Sequence, residues 1–321
     1  MPEMRPTLRP VAVALGVLWL ADGLLQLQPA MFHLGPNGLA ATLADNAMVS
    51  PVPFYTAIES SFVQFVVLHI TCANWFFAGA QIAIGAAISL GGLLEGRMTK
   101  GGRAALRLGL AASVPWAVGV WIFGEAFGQM IFPQSNMAVA GSPGAALLYG
   151  AVAALLLRPS AAGALVAWVV MWDGTGLLLL ERGNWAPDGL AAQVAAHASG
   201  EPHLLASVDR AVSAALAGSG LPAALGMLIV QVLVGQAAWR PITRRASILL
   251  GAGVSLVYWF VGQNLGGVLS GHATDPSLGP AAMLLAWLLW RSTYEAERQR
   301  TAYAGDPPPA TLTPHASSTR S

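Results

Sequence analysis

The sequence predicts an all-α polytopic membrane protein of about eight transmembrane helices, arranged as two four-helix repeats that insert in the same sense. Three observations predict it. Of 321 residues, 55% are hydrophobic and only 10% charged, against roughly 25% charged residues in soluble domains, and the mean hydropathy is +0.59. Apolar runs of about 20 residues, the length that crosses the hydrocarbon core as helix, recur along the chain. Finally, Trp121-Ile-Phe-Gly124-Glu125-Ala-Phe-Gly128, near the end of one such run, returns in a later run as Trp259-Phe-Val-Gly262-Gln263-Asn-Leu-Gly266. The alternating polarity of barrel strands is missing.

The runs lie at about 11–31, 73–94, 104–130, 143–158, 160–180, 221–239, 246–268 and 279–291. Arg5 and Arg9 precede the first in the manner of a signal peptide, but Asp22, Gln26, Gln28 and Pro29 follow in place of a small-residue cleavage site. A retained first span is therefore expected. Segments 35–60 and 184–218 are less apolar and read as one or two helices each, lying at the membrane surface. The Pro, Ser and Thr content from 301 onward predicts a disordered tail.

Basic residues orient the spans. With the amino terminus inside, Arg97, Lys100, Arg103, Arg107, Arg158, Arg240, Arg244, Arg245 and Arg291 fall inside, and only Arg182 and Arg210 fall outside. The positive-inside rule then places both termini in the cytoplasm of a multi-pass cell-membrane protein.

Further pairs extend the repeat, giving copies at 1–158 and 159–300 ahead of the 301–321 tail. Asp22-Gly23 matches Asp173-Gly174, Gln81 with Gly85 matches Gln231 with Gly235, Arg107 matches Arg245, and Gly144-Ala-Ala-Leu-Leu148 resembles Pro280-Ala-Ala-Met-Leu284. Four spans per copy is an even number, so the copies are related about an axis along the membrane normal.

Membrane-embedded polar residues supply the candidate site. As helix, Trp121, Gly124, Glu125 and Gly128 share one face, with the glycines as a GxxxG packing pair. Glu125 costs several kcal/mol if ionised in lipid, so it must be neutral, matched or facing water. A proton- or ligand-handling role competes with simple interfacial solvation. Its counterpart Gln263 is nearly isosteric and does not titrate. Asp22 and Asp173 are the other embedded acids, and bonding to Gln81 and Gln231 would hold the helices together. Asp22 and Glu125 are the candidate catalytic acids; Trp121, Trp259, Gln263, Gln81, Gln231 and Asp173 complete the candidate ligand-binding set.

Other chemistries find little support. A single cysteine, Cys72, permits no intrachain disulfide, CxxC redox pair or CxxCH haem site. His69 has no second histidine on a facing helix. The outer Met31, His33, Met48, Met130, Met137 and His272 lack the compact spacing of a copper site. In Gly271-His272-Ala-Thr274-Asp275-Pro276, turn formation and capping are sufficient roles for Thr274 and Asp275. The net charge of +1 gives no pull towards nucleic acid.

The first helix, Leu15-Gly16-Val17-Leu18-Trp19-Leu20-Ala21-Asp22-Gly23-Leu24, resembles the opening of the DoxX/DoxD superfamily of small four-helix membrane proteins. The resemblance covers each half separately, as a tandem fused pair. It implies quinone-dependent redox chemistry, with quinone as the cofactor and a redox-protein partner beside the lipid bilayer. Three readings follow. A quinone-associated subunit would set the ring against Trp121, Trp259 or Trp116, with Glu125 or Asp22 exchanging protons. A proton-coupled transporter would need a water-filled midplane cavity. A non-catalytic scaffold would have a filled interface.

Overall fold

The computed structural model describes residues 6–95, 100–198 and 201–305. Among them are thirteen α-helices and no strand. In chain order these are α1 (Arg9–Leu25), α2 (Leu39–Val49), α3 (Pro53–Leu68), α4 (Ile70–Glu95), α5 (Lys100–Gly119), α6 (Ala145–Leu157), α7 (Ala161–Leu178), α8 (Arg182–Trp185), α9 (Gly189–His197), α10 (His203–Leu216), α11 (Gly220–Ala237), α12 (Pro241–Phe260) and α13 (Leu278–Gly305).

Among the described residues, five helical stretches are long and apolar enough to cross a membrane: Pro6–Leu25, Ile70–Leu94, Lys100–Gly124, Ala161–Leu178 and Gly220–Ala237. Large apolar side chains such as Val17, Phe76, Leu90, Leu108, Val170 and Leu233 face outward from them, the surface that lipid solvates. The protein is a multi-pass helical membrane protein in contact with the bilayer. The expected count of eight is not reached on length and apolarity alone. Helix α6 is 13 residues long, α12 carries Arg244 and Arg245 in its first turns, and α13 is apolar only in its first half. Residues 301–305, expected in the tail, continue α13; 306–321 lie outside the described residues.

The two halves pack in the same order. Helix α1 packs on α4, α4 on α5, α5 on α6 and α1 on α6, while α7 packs on α11, α11 on α12, α12 on α13 and α7 on α13. Small residues allow the closest approaches. A Cβ on Gly85 would sit 2.6 Å from the Gly16 carbonyl, so α1 and α4 touch through backbone, as small-residue packing in membranes permits. Helices α6 and α13 join the halves, and one apolar core runs through both, from Leu15, Trp19 and Tyr149 to Trp168, Trp172, Leu285 and Leu289. Trp19 and Trp168 each satisfy the indole N–H on a serine hydroxyl, Ser113 at 2.8 Å and Ser247 at 3.2 Å. Apolar side chains pack α6 and α7 against α13 where the halves meet.

Segments 35–60 and 184–218 are helical as expected, and α3 runs on to Leu68. Met31, Leu39, Leu43 and Val66 form a second apolar cluster, with Phe62 and Phe77 against it. That cluster seats α2 and α3 beside α4, and it builds one wall of the site.

Candidate functional site: an apolar cleft ending at buried carboxyls

The repeated motif does not continue its helix. Helix α5 gives way to a π turn over Val120–Gly124, and Glu125 N–H donates to the Val120 carbonyl at 2.9 Å. Residues 126–129 then turn left-handed, with φ of 47°, 57°, 61° and 57°. In the second half, residues 264–267 follow with 46°, 56°, 76° and 64°. The left-handed conformation costs about 1–2 kcal/mol per non-glycine residue, so surrounding contacts must hold it. Trp121 Nε1 donates to the Pro143 carbonyl at 2.7 Å, and Trp259 Nε1 to the Pro276 carbonyl at 2.8 Å. A Cβ on Gly128 would overlap the Pro143 carbonyl, and one on Gly266 the Pro276 backbone. The shared helix face and the GxxxG pair are thus corrected: Gly128 lies off the helix, and a Cβ on Gly124 would meet nothing nearer than Val120 at 3.3 Å.

The turn aims residue 125 at the start of the next helix. Glu125 Oε1 accepts from Ala146 N–H at 2.9 Å. Gln263 Oε1 accepts from Gly279 N–H at 3.2 Å, three residues past its proline as Ala146 is past Pro143. The two sites differ in what remains. Gln263 is satisfied throughout, since its Oε1 also accepts from Ser277 Oγ and its Nε2 donates to the Met137 carbonyl. Glu125 Oε2 is buried with no partner, against Gly144, whose φ of +100° and missing Cβ make the room.

Two cavities meet at this carboxyl, and an apolar cleft opens into one of them. A cleft of about 220 Å³ runs between Phe62, Phe77, Trp116 and Phe123, with Pro115 and the π turn in its wall. Its inner end, at Gln26, Gln81, Val120 and Gly124, is shared with a chamber of about 60 Å³ that Asp22, Glu125 and Asp275 also line. A polar mouth of about 160 Å³ continues from Glu125 and Asp275 past Asn46 and Gln129. Proline and a π turn break helix regularity together here, as they often do where a ligand enters. Asp22, Gln26 and Gln81 are 3%, 6% and 4% exposed, and each has a buried oxygen without a partner. Buried polar atoms are normally paired, so these orphans are the chemical signature of the chamber.

Loops cross between the halves. Thr274 and Asp275, from the loop before α13, line the first half's chamber, and Gln28 Nε2 holds that loop at the Ala273 carbonyl, 3.2 Å away. Asp275 accepts from Ser277 N–H and the Thr274 hydroxyl; burial nevertheless pushes its carboxyl above the ordinary range. Conversely, Met137 of the first half is buried against Thr175, whose hydroxyl lies 3.5 Å from its sulfur. Among the described residues no three His, Cys, Asp or Glu converge as a metal-ligand set.

Several sequence-predicted residues fall elsewhere. Trp121 and Trp259 are occupied as indole donors to the proline carbonyls, and Trp116 is the tryptophan of the cleft wall. Asp173 bonds Gln236, while Gln231 accepts from Thr175 Oγ1 at 3.0 Å and donates to Tyr258 OH at 3.4 Å. The predicted Asp173–Gln231 bond is therefore absent. Its cause is register. Gly23 packs on Ala78 and Ile82, and the glycine in the same relation to α11 is Gly176, against Leu228 and Val232; a Cβ on Gly174 would meet nothing within 4 Å. Thr175, two residues past Asp173, takes the place of Asp22.

Two buried acids escaped the sequence reading, Glu59 on α3 and Asp209 on α10, both 0% exposed. Each is the seventh residue of its helix, and that shared position is the signal that could have revealed them. Asp209 accepts from Gly262 N–H at 3.2 Å. Glu59 sits beside Tyr55, whose hydroxyl donates to the Ile122 carbonyl at 2.9 Å; burial pushes the Glu59 carboxyl up to about 7.

No family model matches the chain, and no curated protein or solved structure matches it.

Proposed function

We propose that the protein is a quinone-associated subunit of a membrane redox assembly, and that its first half binds the quinone. The observation that carries this reading is the joining of an aromatic-walled cleft to a chamber of unpartnered polar oxygens. Such a site fits an amphiphile with a flat ring, an apolar tail and a hydrogen-bonding head. When bound, a quinone supplies two-electron, two-proton chemistry. The chain's residues then have distinct tasks. Phe62, Phe77 and Trp116 hold the ring and exclude water. Gln26 and Gln81 orient the head. Asp22 and Glu125 hold and pass protons at the chamber, and Asp275 with the polar mouth connects them to bulk water. A redox-protein partner, implied by the resemblance to DoxX/DoxD proteins, supplies the electrons.

The proposal includes a duplication, with repeats at 1–158 and 159–300. The matched left-handed turns, the proline contacts and the shared packing order support it. It also places both termini in the cytoplasm, which the arginine asymmetry supports. The resemblance to DoxX/DoxD proteins agrees with the four-helix unit and the quinone. The apolar packing of α6 and α7 against α13 suits the second half to a scaffold role.

Purified protein extracted with organic solvent and read by mass analysis tests the reading. An isoprenoid quinone should co-purify in stoichiometric amount and be depleted by Trp116→Ala. Extracts of folded wild-type protein containing phospholipid alone would overturn it.

A further inference from the structure

A further cavity of about 520 Å³ lies beside the left-handed turn of the first half. Gln129, Phe132, Gln134 and Ala140 wall it on one side, and Gln193 and His197 of α9 on the other. This vestibule shares Gln129 and Ala140 with the polar mouth that leads from Glu125 and Asp275. Gly124, Gly128, Gly141 and Gly144 leave much of the mouth's wall without side chains. On its α2 side the polar groups are engaged, Asn46 Nδ2 at the Gly124 carbonyl, 3.0 Å away, and the Thr42 hydroxyl at the Gly38 carbonyl, 3.3 Å away. At about 160 and 520 Å³, both spaces exceed the roughly 10–15 Å³ that one water requires in a polar cavity.

Gln129 stands at the junction. Its φ of 57° is left-handed, a conformation that costs an L residue about 1–2 kcal/mol and glycine almost nothing. The second copy has Gly267 at the matching position. The first copy keeps an amide there, at the point where the walls of two cavities coincide. The second half fixes the opposite wall. Gln193 accepts from Asn136 Nδ2 at 2.7 Å and donates to Asn184 Oδ1 at 3.0 Å. Asn264, in the second copy of the turn, donates to the His197 carbonyl at 2.5 Å. One copy of the turn thus presents Glu125 and Gln129, and the other holds the end of α9 across from them.

We propose that the second half builds the aqueous route to the first half's carboxyls: water and protons enter the vestibule beside α9, pass Gln129, and reach Glu125 and Asp275 through the polar mouth. This rests on reading the mouth as the carboxyls' link to bulk water, and holds whatever molecule occupies the cleft. It gives the second half a part in the chemistry of the first.

Carbodiimide coupling in the detergent-solubilised full chain tests the route. A water-soluble carbodiimide with glycinamide derivatises carboxyls that water reaches, and peptide mass mapping reads the product at each position. In a Cys72→Ser background, His197→Cys puts a thiol on the vestibule wall, where fluorescein maleimide plugs the cavity after folding. Ala195→Cys puts one on α9 away from the lining residues. Glu125 should couple in both unlabelled variants, lose the coupling once position 197 carries fluorescein, and keep it when position 195 does. If His197→Cys does not fold, Ala192→Cys on the same wall takes its place. Undiminished coupling in the plugged protein, or equal loss with either label, overturns the inference and leaves the mouth reading standing. Absence of Glu125 coupling in folded wild type overturns both.

Discussion

Glu125→Gln should fold normally, retain the ring, and lose roughly 10²–10⁴-fold in the rate of its proton-coupled reduction, the usual worth of general acid–base assistance. The second half is the precedent for folding. Gln263 keeps the carbonyl bond to Gly279 N–H that Glu125 Oε1 makes to Ala146 N–H, so the amide can cap α6 as it caps α13. What the substitution removes is Oε2, the oxygen that faces the cavity with no partner. Stopped-flow absorbance of bound quinone, driven by a water-soluble reductant in membrane vesicles, measures the rate. An unaltered rate with full occupancy would remove Glu125 from the mechanism and leave Asp22 as the acid of the chamber.

Gly128→Ala should produce the largest loss of stability among single-methyl substitutions at the turn. Its φ of +61° is left-handed, which costs an L residue about 1–2 kcal/mol, and the added methyl would overlap the Pro143 carbonyl. Overpacking adds typically about 1–3 kcal/mol. The thermal midpoint in detergent should fall steeply, and ligand occupancy with it, because the same turn positions Glu125. Gly79→Ala is the control. Its Cβ would meet nothing within 4 Å on α4, and alanine is the better helix former, so the midpoint should hold or rise. A Gly128→Ala protein as stable as wild type would mean that the turn is not under the strain its geometry implies.

Much of the fold was legible because lipid imposes a simple code. Apolar runs and a low share of charge sufficed for helices within a few residues of the observed ends, as at 160–180 against Ala161–Leu178. The repeated tryptophan motif was legible too, but its shape was not. Trp121-x-x-Gly-Glu-x-x-Gly has perfect helical spacing, and only Pro143, 22 residues away in the chain, forces the turn that places Gly128 against it. The Asp-Gly pairs misled for a related reason. Two acids followed by glycine look equivalent, yet packing matches Gly23 with Gly176, and sequence spacing alone carries no record of which glycine touches the neighbouring helix. Trp116 and Phe77 came together through the packing of α5 on α4, and the π turn that completes the cleft wall has no local signal beyond Pro115. Glu59 and Asp209 were hidden by the polarity of their segments, which reads as surface although both side chains are fully enclosed.

The central claim is that the first half of the protein holds a quinone where its aromatic cleft joins the carboxyl chamber. Photolabelling with an aryl-azide quinone, followed by peptide mapping, tests it most directly. Saturable labelling should fall on peptides carrying Phe62, Phe77, Trp116 or Phe123, be displaced by unlabelled hydroquinone, and disappear in Val120→Tyr. Saturable labelling around Gln231 and Tyr258, with the first half unlabelled, would contradict the account.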